Sequence, residues 1–150
     1  MYPRAPTYFP FLLCVLYALL LRSQFDPDEY YQTLEPALHL LGRQSYVTWE
    51  WHNKLRGWLG VFPYYFAYRL GGIAFGPVLV CLVNGAQCAT LCVLTGRVHK
   101  AVYGGGGERA RLLWGGCWFA LYCGCRSYSN VQEAILITYM VGEVLRRDNG

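Results

Sequence analysis

The stretch Ile73–Gly96, IAFGPVLVCLVNGAQCATLCVLTG, decides the class of fold because it contains no charged residue. A helix needs roughly 20 mostly apolar residues to cross the hydrocarbon core of a bilayer, and this stretch is long enough. The rest of the chain has the same character: 55% of its residues are hydrophobic and 15% are charged, against about 25% charged in soluble domains. The sequence therefore predicts an all-α membrane protein.

Three further apolar segments predict that the protein is polytopic. They cover about residues 8–22, 112–125 and 131–145. A cleaved signal peptide is an alternative for the first segment, but the following RSQFDPDE contains no small-x-small cleavage site, which favours an uncleaved span. Residues 58–72 are aromatic and contain Arg69. We expect them to lie at the membrane interface or to re-enter the membrane without crossing it.

The distribution of basic residues indicates the orientation of these spans. The loop 97–111 carries four basic residues and one acid, namely Arg97, Lys100, Arg109, Arg111 and Glu108. Short loops rich in Lys and Arg stay cytoplasmic, so the acidic loop 23–57 is predicted to be luminal or extracellular. The net charge of +4 does not indicate nucleic-acid binding, because the cations are scattered along the membrane boundaries.

The seven cysteines all lie in or beside apolar segments. No Cys-x-x-Cys pair has a matching His spacing, which argues against a zinc site. Cys123 and Cys125 could form a redox pair, but such residues are more often small packing groups of a membrane core. We therefore interpret the cysteines as packing residues.

The sequence FDPDEYYQTLEP (Phe25–Pro36) contains four of the nine acidic residues. Part of this pattern is typical of a helix start, with Asp26 as N-cap, Pro27 at the first helical position and Glu29 closing a capping box. Gly42 is a natural C-terminal stop. Pro36 falls inside the predicted helix and is expected to kink it.

Periodicity predicts that this loop helix is amphipathic and lies on the luminal membrane surface. At helical spacing one face is polar and its neighbour is apolar, the first formed by Asp28, Gln32, Glu35 and His39 and the second by Tyr31, Leu34, Leu38 and Leu41. The polar face is either simply solvated or directed into a cavity. Periodicity does not distinguish these two alternatives.

A second cluster, YVTWEWHNKLRGW (Tyr46–Trp58), combines aromatic and charged residues. Glu50 lies between Trp49 and Trp51, an arrangement that suits a sugar, whose C–H face stacks on an aromatic ring while its hydroxyls bond to a carboxylate. Lys54 and Arg56 suit a phosphate. An ordinary interfacial belt of aromatic and basic side chains is the alternative.

A third cluster, CRSYSNVQEAIL (Cys125–Leu136), contains Arg126, Ser129, Asn130 and Glu133 at the predicted luminal ends of two spans. An ionisable residue such as Glu133 is costly inside a membrane and is usually paired or functional. Arg126 is the expected partner of Glu133. A structural ion pair and a ligand-binding role both fit the pattern.

Taken in order, PDEYYQ (27–32), TWEW (48–51) with Leu55-Arg56, and RSYSNVQE (126–133) resemble motifs of the family 22 glycosyltransferases. These are multispanning mannosyltransferases that use dolichyl-phosphate mannose, and Ser127 stands where the family has Thr. Within the family, the motifs look most like those of the branch that adds the third mannose of the glycosylphosphatidylinositol (GPI) anchor in an α-1,2 linkage. The branches that build the lipid-linked oligosaccharide of N-glycosylation are near relatives.

This resemblance implies a C-type glycosyltransferase fold in the endoplasmic reticulum membrane, with a luminal site that binds dolichyl-phosphate mannose and a lipid-linked glycan acceptor. It also implies that the chain is an N-terminal part of a longer protein and is inactive alone. An inverting transfer needs a general base, for which Asp28 is the candidate and Glu29 the fallback. The expected substrate-binding residues are Gln32, Trp49, Glu50, Trp51, Lys54, Arg56, Arg126, Asn130 and Glu133.

No metal site and no cofactor beyond the donor lipid are expected. The rival hypothesis is a membrane protein without enzymatic activity, either a transporter or an assembly subunit. Such a protein would use Arg69, Glu133 and Glu143 as polar contacts inside the membrane. The clustering of acids in the extramembrane loop, followed by aromatic and basic residues, favours the enzyme.

Overall fold

A computed structural model describes residues 9–21 and 27–148, and within these ranges the chain is helical and contains no strand. This confirms the predicted all-α class. The predicted N-cap Asp26 lies outside the described residues. The helices are α1 (Phe9–Leu20), a π-helical stretch (Tyr30–Leu34) that continues into α2 (Glu35–Leu40), α3 (Trp49–His52), a 3₁₀ turn (Trp58–Gly60), α4 (Phe62–Tyr103), α5 (Gly107–Gly116), α6 (Trp118–Gly124) and α7 (Ser129–Asp148).

Helix α4 is a hairpin of two helical arms, because the backbone leaves the helical conformation at Gly72 (φ 61°, ψ −157°). We call residues 62–71 the short arm and residues 73–103 the long arm. The arms lie side by side: the ring of Tyr68 packs against Gly76, and the hydroxyl of Tyr64 donates to Asn84 Oδ1 at 3.0 Å. In a straight helix Tyr64 and Asn84 would be about 30 Å apart.

Sequence explains the position of this reversal. Glycine adopts a positive φ without the steric cost that a Cβ imposes. Pro77 lies five residues later, has no backbone N–H and crowds the carbonyl of the fourth residue before it, so it weakens a helix running through this region. The tip is tight, since a Cβ on Gly71 would lie 2.7 Å from the backbone N of Gly76.

The described residues form two hydrophobic cores, one on each side of α4. The first lies between the short arm, the long arm and the loop helices, and it consists of Leu34, Ala37, Trp51, Val61, Tyr64, Ala67 and Val80. The second joins α1, the long arm and α6 through Cys14, Ala18, Cys88, Ala89, Leu121 and Cys125. Its cysteines are buried packing groups, as predicted.

Small residues let α1 approach the long arm closely. A Cβ on Gly85 would lie 2.8 Å from the Cα of Val15, so the two backbones are nearly in contact. Close approach at small residues is the usual way in which helices associate where no water is present to drive packing.

The helices of the described residues do not confirm the predicted number of spans. In the described ranges, one helical stretch, Trp58–Tyr103, is long and apolar enough to cross a membrane, and α1 contributes a shorter apolar helix. Because the chain reverses at Gly72, the part of this stretch that has the length to cross a membrane is the long arm. At 1.5 Å per residue the long arm is about 45 Å long. The predicted segment 112–125 is divided at Cys117, whose backbone is extended, into α5 and α6. The segment 131–145 lies within α7.

The loop helix ends as predicted at Gly42. Gly42 has a left-handed φ of 70°, and the N–H groups of Gly42 and Arg43 donate to the carbonyls of His39 and Leu38 at 2.9 and 3.1 Å. This pair of hydrogen bonds is the Schellman arrangement that satisfies the last carbonyls of a helix.

Candidate active site

A π-helical turn presents the acidic residues of the first cluster. The N–H of Glu35 donates to the carbonyl of Tyr30, five residues earlier. Pro36 follows directly, and in a regular α-helix its ring would crowd the carbonyl of Gln32. The kink predicted at Pro36 thus takes the form of a wider turn before the proline, a device often found at functional sites.

This turn changes which side chains of the loop helix are buried. Gln32, predicted on the polar face, is buried, whereas Tyr31, predicted on the apolar face, is exposed. Glu35 accepts a hydrogen bond from the N–H of Tyr46 at 2.8 Å. The prediction of two uniform faces was therefore wrong, because a π turn advances each residue by less than the 100° that periodicity assumes.

Glu29 and Arg126 form a buried ion pair that joins the first cluster to the third. Nη1 of Arg126 lies 2.5 Å from Oε1 of Glu29, and their side chains are 3% and 10% exposed. Arg126 also donates from Nε to the carbonyl of Tyr122 at 3.1 Å and stacks over the Tyr122 ring.

One prediction needs correction here. Arg126 pairs with Glu29 and not with the sequence neighbour Glu133, because Glu133 lies on α7 with its side chain exposed. The predicted capping box of Glu29 involves Asp26 and so lies outside the described residues; within them the Glu29 side chain is directed to Arg126.

A buried polar network extends from this ion pair into α4. Thr33 Oγ1 donates to the carbonyl of Ser127 at 2.6 Å, and Asn84 Nδ2 donates to Ser127 Oγ at 3.0 Å. Tyr64 completes the chain through its bond to Asn84. Sequence reasoning missed Thr33, Tyr64 and Asn84 as site-supporting residues. The signal that was available is Asn84, a polar residue inside an uncharged span.

Gln32 holds Asp28 at the surface of this network. Its Nε2 donates to Asp28 Oδ2 at 2.7 Å, and its Oε1 accepts from Ser129 Oγ at 3.1 Å. Gln32 is buried while Asp28 is exposed. The amide is thus fixed at both ends and orients a carboxylate that solvent or a substrate can reach.

A cavity of about 270 Å³ opens beside Gln32, between the loop and the first turns of α7. Its polar lining residues are Gln32, Arg56, Ser129, Gln132 and Glu133, and its apolar lining includes Trp51, Leu59 and Leu136. Four of the predicted binding residues, Gln32, Trp51, Arg56 and Glu133, therefore meet in one place. Residues from all three sequence clusters line this cavity.

The two tryptophans of the second cluster have different positions. Trp51 is 6% exposed, donates from Nε1 to the carbonyl of Tyr31 at 3.0 Å, and packs on Trp58 with ring centroids 4.6 Å apart. Trp49 is 65% exposed and is not among the residues that line the cavity. Trp51 is therefore the aromatic residue that shapes the site in the described structure.

The charged residues of the second cluster also differ in their positions relative to the cavity. Arg56 Nε lies 2.7 Å from Glu50 Oε2, and both side chains are about one-third exposed. This ion pair orients Arg56 along the wall of the cavity. Lys54 is exposed with a left-handed φ of 57°, and it does not line the cavity in the described structure. Asn130 is exposed and accepts a weak hydrogen bond from Ser129 Oγ at 3.4 Å.

The arrangement suits the activation of a hydroxyl group. An aromatic ring and a guanidinium line a small cavity together with Gln32. Gln32 also holds the exposed carboxylate of Asp28, which is not itself among the lining residues. Within residues 9–21 and 27–148, no group of three His, Cys, Asp or Glu side chains is placed to hold a metal ion. The carboxylate and guanidinium named above can supply proton transfer and anion binding.

Comparison with known proteins gives the family. The sequence matches the Alg9-like mannosyltransferase family over residues 7–149. It is 27% identical to mannosyltransferase APTG1 of Arabidopsis thaliana over 84% of this chain and 25% of that protein. It is 28% identical to the GPI alpha-1,2-mannosyltransferase 3 of Homo sapiens over 85% of this chain and 24% of that protein.

The Xenopus laevis protein of the same name is 30% identical over 81% of this chain and 24% of its own length. The chain thus spans about a quarter of the length of the curated relatives that it matches. No solved structure matches the chain. The match to the family covers every described residue and all three clusters of the site. The chain belongs to the Alg9-like mannosyltransferase family.

Proposed function

We propose that this chain supplies the acceptor-activating part of a mannosyltransferase. The enzyme would transfer mannose from dolichyl-phosphate mannose to a lipid-linked glycan, the GPI-anchor precursor, with inversion and in an α-1,2 linkage. Family membership and the names of the relatives support this reaction. The observation that carries it is the exposed carboxylate of Asp28, which accepts a hydrogen bond from Gln32, a residue that lines the cavity.

In this mechanism an acceptor hydroxyl attacks the anomeric carbon of mannose while the bond from that carbon to the phosphate oxygen breaks on the opposite face. The hydroxyl proton passes to the carboxylate of Asp28. A positioned general base contributes roughly 100- to 10,000-fold to such a step. The hydrogen bond from Gln32 Nε2 to Oδ2 orients the carboxylate for this proton transfer.

Glu29 has a different role in this proposal. Its carboxylate is buried and engaged with Arg126, so it holds the loop against the third cluster. It is therefore a positioning residue for Asp28, and it is no longer the fallback base.

Arg56 and Trp51 are the proposed contacts to the donor and the sugar. A guanidinium has five N–H donors, and Glu50 uses the Nε group, so the other donors can meet the leaving phosphate. Trp51, which is largely buried, shapes the wall of the proposed sugar pocket. Gln132, whose amide donates to the carbonyl of Gly60 at 2.9 Å, also lines the cavity.

The test uses the complete gene product and the variant Asp28→Asn. Asn keeps the size and hydrogen-bonding capacity of Asp but cannot accept the proton. Transfer of radiolabelled mannose from dolichyl-phosphate mannose to a GPI precursor in microsomes should fall about 100-fold or more. Protein level should be unchanged, because the side chain is exposed.

Glu108→Gln is the matched control, since Glu108 is an exposed acid on α5, far from the first cluster in sequence. It should leave transfer near the wild-type rate. Full activity of Asp28→Asn would refute the assignment of the base, and transfer to an N-glycan precursor in place of the GPI precursor would refute the proposed acceptor.

We further propose a multi-pass protein of the endoplasmic reticulum membrane with the loop 23–57 in the lumen. The charge of the loop 97–111 and the names of the relatives support this placement. Arg43→Asn creates an Asn-Gln-Ser sequon at an exposed position and should be glycosylated in microsomes. The pair Tyr103→Asn and Gly105→Ser creates a sequon in the cytoplasmic loop and should not be. The reverse pattern would exclude the luminal site.

A further inference from the structure

A groove between the long arm of α4 and α7 lies at the opposite end of these helices from the candidate active site. Its volume is about 590 Å³, more than twice the 270 Å³ of the cavity beside Gln32. Arg97 lines the groove and follows Asn84 by 13 positions, which is about 20 Å along a helix axis. The groove is thus separate from the proposed catalytic residues.

The groove has an apolar floor and a cationic rim. The floor contains Leu94, Ala101 and Leu145, which are buried or half-buried. The rim is formed by three exposed cations, which are Arg97, Lys100 and Arg146. Its volume falls within the range of about 300–1,000 Å³ that is usual for small-molecule sites.

The charges of this rim are incompletely neutralised by the protein. Arg146 Nη2 lies 2.7 Å from Glu143 Oε2, and this is an exposed pair. Across residues 9–21 and 27–148, neither Arg97 nor Lys100 takes part in an ion pair. Three cations face one carboxylate, so the groove carries a net charge of +2 and favours an anion.

The groove also lies where a lipid headgroup would be found. The long arm belongs to the stretch Trp58–Tyr103, which among the described residues is long and apolar enough to cross a bilayer, and Arg97 and Lys100 lie in the last two turns of this arm. Basic pockets between helices at a membrane surface bind anionic lipid headgroups. A free inorganic phosphate would leave the apolar floor unused, whereas the glycerol and first methylenes of a lipid would cover it.

We propose that this groove binds the phosphate of an anionic glycerophospholipid, with Arg97 and Lys100 as its principal ligands. Arg97 can offer two parallel N–H groups to two phosphate oxygens, and Lys100 supplies a compact charge. The lipid would fix the end of α7 against α4 at the membrane surface, independently of mannose transfer.

The test measures lipid binding by native mass spectrometry on the complete gene product purified in detergent. The probes are dioleoylphosphatidylglycerol, zwitterionic dioleoylphosphatidylcholine and inorganic phosphate. The wild-type protein should retain phosphatidylglycerol selectively. Arg97→Gln should weaken its binding roughly fivefold, and the double variant with Lys100→Gln roughly 30-fold, from the usual contribution of a basic residue near a membrane surface.

Arg147→Gln is the matched control, because Arg147 is an exposed cation at the same end of α7 that does not line the groove. It should retain wild-type binding, and Arg97→Lys should retain most of it. Equal retention of the two lipids, equal losses in Arg97→Gln and Arg147→Gln, or inorganic phosphate displacing the lipid at equal concentration would each overturn the proposal. Should the double variant fail to fold, the comparison of Arg97→Gln with Arg147→Gln decides.

Discussion

The variant Glu29→Gln tests whether the buried ion pair is structural. The Glu29 and Arg126 side chains are 10% and 3% exposed, so water cannot solvate the Arg126 charge that the substitution leaves unpaired. Breaking a buried pair by removing one partner costs about 3–5 kcal/mol. Gln keeps an oxygen that accepts a hydrogen bond from Arg126, so we expect a loss at the lower end of this range, about 3 kcal/mol. A typical free energy of unfolding is about 5–15 kcal/mol.

The assay is thermal unfolding of the complete gene product in detergent micelles. Because the entropy of unfolding grows with chain length and the relatives are about four times as long as this chain, a loss of about 3 kcal/mol should lower Tm by about 2–3 °C. A double-mutant cycle with Arg126→Met separates pairing from packing. Because the double variant has no uncompensated buried charge, its loss should be smaller than the sum of the single losses by roughly 0.5–3 kcal/mol. Mannose transfer per folded molecule should fall less than in Asp28→Asn.

A particular result would refute this reasoning. If Glu29→Gln unfolds at the wild-type temperature, and yet transfers no mannose, then its carboxylate acts on the substrate and the ion pair is not what holds the loop. Additive losses in the cycle would show that Arg126 and Glu29 contribute independently of each other.

Two further substitution pairs test the packing around the site. Gly85→Ala should lower the free energy of unfolding by about 1–3 kcal/mol, because its Cβ would meet the Val15 backbone at 2.8 Å, whereas Gly57→Ala has nothing within 4 Å and should be neutral in the same melting assay. Trp51→Ala should lower the free energy of unfolding by about 3–5 kcal/mol, and Trp49→Ala, which is exposed, by at most about 0.5 kcal/mol. Equal effects within either pair would contradict the burial described above.

The helical class and the end of the loop helix were predictable because they depend on local chemistry. An uncharged stretch such as Ile73–Gly96 has few alternatives to a helix, and Gly42 ends one by its own φ. The reversal at Gly72 was not predicted in this form. It depends on contacts such as that between Tyr68 and Gly76, which become visible only when both arms are folded.

The sequence grouped the residues of the candidate site, but it did not predict which of them form ion pairs with each other. The sequence assigned Gln32, Trp51 and Arg56 to one site, and in the described structure these three residues line one cavity. The partner of Arg126 was assigned by sequence proximity, whereas Glu29 is 97 positions away. A periodicity argument assumes a uniform helix, and the π turn before Pro36 breaks that assumption at the residues that matter most.

Gly72 has a stereochemical consequence. Its φ of 61° and ψ of −157° are close to the mirror image of the polyproline II conformation, so the backbone at this position has the handedness of a D-amino acid. No atom lies within 4 Å of a Cβ built there. The surroundings therefore leave room for a side chain, and only the handedness of the backbone restricts which residue fits. A D-alanine introduced by semisynthesis should fit the hairpin tip without strain, while L-alanine at the same open position should strain it.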